Sequence, residues 1–141
     1  MRDAVQQANR APHILLYSHD TFGLGHLRRS RAIAEALVSS LEGSSALILT
    51  GSPVAGRFTF SPGVDHIRMP GVVKTVDADY VSESLNLDIE QTTALRASVI
   101  LAAAVTFNPD LVIVDKEPAG FRGELTTTLE ILKEMGRAKI V

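Results

Sequence analysis

Cysteine is absent from the 141 residues, which excludes disulfides and thiolate metal sites and fits a reducing cytoplasm. Charge of one sign is missing too. Fourteen Lys and Arg against sixteen Asp and Glu leave a formal net charge of −2, without the strongly basic face that a nucleic-acid binder needs. No apolar run reaches the ~18 residues of a membrane span, and the polar residues 1–12 contain no apolar core of a signal peptide. The four histidines, at positions 13, 19, 26 and 66, lack the close spacing of a zinc site, and the acidic residues form no calcium loop. No Gly-Lys-Ser or Gly-Lys-Thr follows a glycine-rich stretch, so a P-loop is excluded. The expectation is a soluble, cytoplasmic protein with no metal and no nucleic-acid partner.

What is present is enough for one core: 45% of the residues are hydrophobic and 21% charged, and a chain of this length buries roughly 68% of the surface its unfolded form exposes. Short apolar runs at 14–17, 46–49, 64–67, 111–114 and 138–141, the third interrupted by Asp65 and His66 and the last by Lys139, read as parallel strands covered on both faces. Helical spacing fills the intervals. Leu27, Ile33, Ala34, Leu37 and Leu41 make one face of a first helix, with Arg28, Arg31, Glu35 and Ser39 opposite and Gly43 as its stop. A second helix is predicted from near Asp88 to about Phe107, with Leu95, Val99, Ala102 and Ala103 towards the sheet and Asn108-Pro109-Asp110 ending it. A third runs from near Glu124 to before Gly136 on Leu125, Leu129, Leu132 and Met135. Repeated βαβ units predict a three-layer, doubly wound α/β fold over residues 13–141, preceded by a flexible polar leader at 1–12. Residues 69–87 have no helical period and are expected to form a long loop, poorly ordered without a ligand. The chain stops in an apolar run, at Lys139-Ile140-Val141, which reads as the first half of a larger protein.

Candidate chemistry gathers where the first strand meets the first helix. Open α/β sheets bind ligands at the carboxyl ends of their strands, and there lie His19, Gly23, Gly25, His26 and an arginine cluster, Arg28, Arg29 and Arg31. Glycines let the backbone approach a ligand, and a helix N-terminus offers unpaired N–H groups to an anion. Gly23-Leu24-Gly25-His26-Leu27-Arg28 opens like a dinucleotide fingerprint, but Arg28 replaces the third glycine and the second strand ends in Leu49-Thr50-Gly51 without an acidic residue. A neutral His26 in the cleft could take a proton from a hydroxyl, or only position a substrate, with His19 as competitor. Three cations in one helix's first turns disfavour the helix and call for a negative partner such as phosphate, although Arg31 could simply pair with Glu35. Asp115, at the end of the 111–114 run, could orient such a histidine. Glu117 could do the same, Asp115 could instead cap its own turn, and Glu124 reads as a favourable first-turn charge.

The run Ser18-His19-Asp20-Thr21-Phe22-Gly23-Leu24-Gly25-His26-Leu27-Arg28-Arg29-Ser30, followed by Ala32-Ile33-Ala34-Glu35-Ala36-Leu37, resembles the amino-terminal motif of GT-B glycosyltransferases. It is most similar to the group containing the lipid II N-acetylglucosamine transferase, and in particular to a bacterial branch described as predicted glycosyltransferases. The stretch from Pro109 to Pro118 is similar to the same branch, so the likeness runs through the chain in order. The resemblance implies a Rossmann-like acceptor-side domain, with a nucleotide sugar held by a missing carboxyl-terminal domain or a partner chain and with no cofactor. It implies that Gly23, Gly25 and His26 line the acceptor side, that His26 is the base and Asp115 its partner, and that the chain alone is inactive. The first loop has Gly-Leu-Gly-His where the lipid II enzyme ends in Gly-Gly-His, so the acceptor does not carry over, and association with a membrane surface stays open. The alternative from another class is a non-catalytic Rossmann-like binding module or one subunit of a split transferase.

Overall fold

The structure is a computed structural model that describes residues 10–20 and 25–141. Five strands, β1 (His13–Tyr17), β2 (Ser45–Thr50), β3 (Val64–Arg68), β6 (Leu111–Val114) and β7 (Lys139–Ile140), form one sheet in the order β3-β2-β1-β6-β7. Every pairing in it is parallel. In the central strands β1, β2 and β6 no residue is exposed, which removes the alternation that a half-exposed strand would show, whereas the edge strands β3 and β7 carry exposed Asp65, Arg68 and Lys139. In β1, Ile14 and Leu16 join one core with Leu27, Ala34 and Ile48. Leu15 and Tyr17 join the other with Leu49, Ile100 and Leu132.

Helix α1 (Gly25–Ser40) covers the first face, and α2 (Ile89–Phe107) and α3 (Thr126–Met135) cover the second. The result is an α/β architecture compatible with a Rossmann-like fold. Winding from β1 to β2 and β3 proceeds in one direction, and β6 and β7 then build on the other side of β1. The reversal opens a crevice between the carboxyl ends of β1 and β6, the place where such sheets take ligands.

Three expectations need correction. Residues 69–87 are not a featureless loop: β4 (Val72–Lys74) and β5 (Tyr80–Ser82) pair antiparallel, Val73 opposite Val81. Second, the face that α2 turns to the sheet is shifted: Val99 and Ala103 pack against the core as expected, but Leu95 and Ala102 are exposed and do not. Thr92, Arg96, Ile100 and Ala104, each four residues on from the last, are its buried row. The helix is apolar on most sides, so hydrophobic periodicity could not fix its phase, and an ion pair described below does. Third, α3 begins at Thr126, leaving Glu124 before the helix and buried; Leu41 and Met135, assigned to apolar faces, are exposed.

The ends of α2 follow the sequence closely. Asp88 Oδ1 accepts from the Gln91 N–H at 2.7 Å and the Asp88 N–H donates to Gln91 Oε1 at 3.1 Å, a capping box. Asn108 closes the helix in the left-handed region, φ 51°, before Pro109. The polar leader expected at 1–12 falls on residues of which 1–9 lie outside the described part. Arg10 lies 3.5 Å from Asp110, and His13 stacks on Phe107 with ring centroids 4.8 Å apart. His66 likewise stacks on Phe60, at 4.8 Å. Among the described residues no helix is long and apolar enough to cross a membrane.

Candidate active site

Beyond Tyr17 the chain turns inward. Ser18, His19 and Asp20 are all buried, and the Ser18 N–H continues the β1–β2 ladder to the Leu49 carbonyl at 2.9 Å. The Asp20 carboxylate accepts from Ser18 Oγ at 3.0 Å and from Thr50 Oγ1, and Thr50 Oγ1 in turn accepts the Ser52 N–H at 3.1 Å. A short acidic side chain next to two hydroxyls thereby pins the first loop to the end of β2. Gly23 lies outside the described residues. Gly25 is exposed at the start of α1, and a Cβ added there would meet nothing within 4 Å, so packing among the described residues does not require glycine at that position.

His26 and Asp115, 89 residues apart in sequence, meet through Nδ1 and Oδ2. Adjacency of β1 and β6 brings them together: the Asp115 N–H extends that pairing to the Tyr17 carbonyl at 3.2 Å. An ionised carboxylate only accepts, so His26 Nδ1 carries the proton and Nε2 keeps its lone pair. Arg29 Nη1 donates to Asp115 Oδ1 at 3.0 Å, leaving each carboxylate oxygen with its own donor. The arginine cluster thus finds anions within the chain. Arg29 has Asp115, and Arg31 has Glu35 at 3.3 Å, with its guanidinium 5.5 Å from the ring centre of Phe58. Arg28 is exposed on the first turn of α1.

His19 stands beside the pair, its ring centroid 6.0 Å from that of His26 and nearly perpendicular to it. Burial, and then the neighbouring Lys116 and His26, hold its basicity below that of an ordinary imidazole. It lines a cleft of about 510 Å³ with Tyr80 and the loop 116–123, which brings in Glu117 on its exposed rim. That loop turns tightly, with left-handed backbone at Lys116 (φ 67°), Gly120 (φ 73°) and Arg122 (φ 51°). Gly120 is obligatory there, since a Cβ would lie 2.7 Å from Leu125 Cγ in a conformation that side chains resist.

Beneath the cleft lies a network that sequence reading missed. Arg96 Nε and Nη2 donate to the two carboxylate oxygens of Glu124 at 2.8 and 2.7 Å, with the side chains 1% and 0% exposed. Tyr17 Oη donates to Glu124 Oε1 at 2.6 Å and accepts the Phe121 N–H at 2.8 Å. Arg96 Nη1 reaches the Pro70 carbonyl at 2.9 Å. Burial and then the adjacent Glu124 carboxylate push the Tyr17 phenol well above its ordinary value. Burial alone would weaken the Arg96 guanidinium's hold on its proton, and the hydrogen-bonded Glu124 carboxylate more than reverses this. The one available signal was an arginine inside an otherwise apolar helix, which demands an acid wherever that face is buried. Glu124 is therefore an anchor and not a helix-terminus charge.

Among the described residues no group of three or more His, Asp or Glu side chains converges to hold a metal ion. Comparison with protein-family models, with curated proteins and with solved structures finds no match to this chain.

Proposed function

We propose that the chain is the acceptor-binding half of a glycosyltransferase that moves a sugar from a nucleotide diphosphate sugar to an acceptor hydroxyl. The observation that carries this reading is the hydrogen bond between His26 and Asp115 at the crevice between β1 and β6. His26 Nε2 takes the proton of the hydroxyl as its oxygen bonds to the anomeric carbon, and the bond from that carbon to the nucleoside diphosphate breaks. Asp115 fixes the tautomer and stabilises the imidazolium that forms. Arg29 holds the second oxygen of Asp115, and the exposed Arg28 is available to steady diphosphate charge. The donor sits on a carboxyl-terminal domain or a partner chain, and no cofactor enters the transfer.

The test uses the chain joined to its donor-binding half, with UDP-, GDP- and dTDP-sugars as donors and nucleoside diphosphate release as readout. His26→Ala should lower turnover by about 10²–10⁴-fold, the usual weight of a general base, with the melting temperature unchanged. Unaltered turnover in a folded His26→Ala protein refutes the proposed base. If no donor is turned over and none raises the melting temperature of the joined form, the chain is a non-catalytic binding module.

A further inference from the structure

His19 is 5% exposed, and its Nδ1 is buried without a hydrogen-bond partner. Three aromatic rings surround it. Tyr17, His26 and Phe121 stand edge-on around it at centroid distances of 6.3, 6.0 and 6.3 Å. A buried polar atom without a partner is costly, and because His19 lines the cleft a ligand there is the natural partner.

The remaining walls define that ligand. Phe121 and Tyr80 meet edge to face at 4.9 Å, giving the cleft an apolar, aromatic side. The rim carries both signs: Lys116 and Arg122 as donors, Glu117 as acceptor. Arg122 is already turned to Glu90 at 3.3 Å, so the positive charge is not concentrated as an anion site would need. An aromatic side, mixed donors and acceptors, and one buried imidazole nitrogen suit a neutral ring with hydroxyls on its edge and C–H groups on its face.

We propose that this cleft binds a polyhydroxylated ring, its face against Tyr80 and one hydroxyl paired with His19, and that a second hydroxyl of the same ring is the one presented to His26. That the ring is the acceptor rests on the proposed transfer; that it binds here does not.

The experiment follows the histidine ring nitrogens by ¹⁵N NMR in the 141-residue chain during titration with methyl glycosides of neutral hexoses and N-acetylhexosamines, with myo-inositol, and with inorganic phosphate. At least one glycoside or the inositol should shift His19 Nδ1. Its affinity should fall about tenfold in His19→Phe, and should also fall in Tyr80→Ala, whose side chain is only half-buried. The proposal is overturned if phosphate alone shifts the His19 nitrogens, if no ring compound does, or if affinity is unchanged in both variants. A chain that binds the ring at His19 while its joined form turns over normally as His26→Ala keeps the subsite and loses the base. Loss of turnover in His26→Ala with no ring bound at His19 keeps the transfer and loses the subsite.

Discussion

Replacing Arg96 with methionine would retain most of the aliphatic stem and strand the Glu124 carboxylate, 0% exposed, without its bidentate partner. Removing one member of a fully buried pair costs about 3–5 kcal/mol, because the remaining charge stays desolvated. Arg96→Met also removes the bond to the Pro70 carbonyl and the contact with the Phe121 ring, 5.7 Å away. Against a total stability of about 5–15 kcal/mol for a domain, the loss is severe. At roughly 4 °C per kcal/mol for a chain of this length, the melting temperature should fall by about 12–20 °C.

The assay is urea denaturation followed by circular dichroism, run on Arg96→Met, Glu124→Leu and the double variant. The double variant should be less destabilised than the two single losses added together, because removing both charges leaves no stranded ion. Tyr17 Oη still accepts the Phe121 N–H in that protein and loses only its own acceptor. A loss below about 1 kcal/mol in Arg96→Met, the range of a solvent-exposed pair, would refute the reasoning. So would strict additivity in the double variant.

Three further outcomes follow from the same geometry. Since His19 is held less basic in the folded chain, the unfolded chain binds the extra proton as pH falls below about 6.5; stability should drop by up to ~1.4 kcal/mol per pH unit there, and melting temperatures at pH 7 and 5.5 should differ less in His19→Phe. Tyr17 has the opposite sign: its raised folded value gives stability that is fully present below pH ~10 and lost above it, so Tyr17→Phe should flatten the alkaline limb of the stability curve. Gly120→Ala should destabilise far more than Gly136→Ala in urea melts, because both have left-handed φ but only Gly120 meets a neighbour, Leu125 Cγ at 2.7 Å; equal losses would refute the steric part.

The central strands were legible because burial on both faces makes a continuous apolar run, and the ends of α2 because Asp88, Gln91 and Asn108 satisfy backbone groups locally. The hairpin was not. Its strands have three residues each, and its turn places Ala78, not glycine or asparagine, at φ 65°, so the usual turn chemistry was absent. The phase of α2 was hidden for a different reason: the row that faces inward carries Arg96, and its partner lies 28 residues on. His26 and Asp115 could be paired from sequence because adjacent parallel strands bring their carboxyl-end loops together. His19 was visible as a candidate, but its unpaired nitrogen depends on Tyr17, His26 and Phe121 closing round it, which no local pattern encodes.

The buried network and the cleft share a single joint. Tyr17 ends β1 two residues before His19, and its hydroxyl receives the Phe121 N–H while it donates to Glu124. Phe121 is both a wall beside His19 and the ring over which Arg96 sits. A change at Arg96 or Glu124 should therefore displace the aromatic side of the cleft, through Phe121. The hydrogen bond between His26 and Asp115 hangs instead on α1 and the end of β6, through the Arg29 contact and the β1–β6 ladder. Loosening the network should weaken ring binding and leave the histidine–aspartate pair formed. On the proposed reading, the wall that would hold the ring rests on the buried network, and the pair that would take its proton rests on α1 and the end of β6.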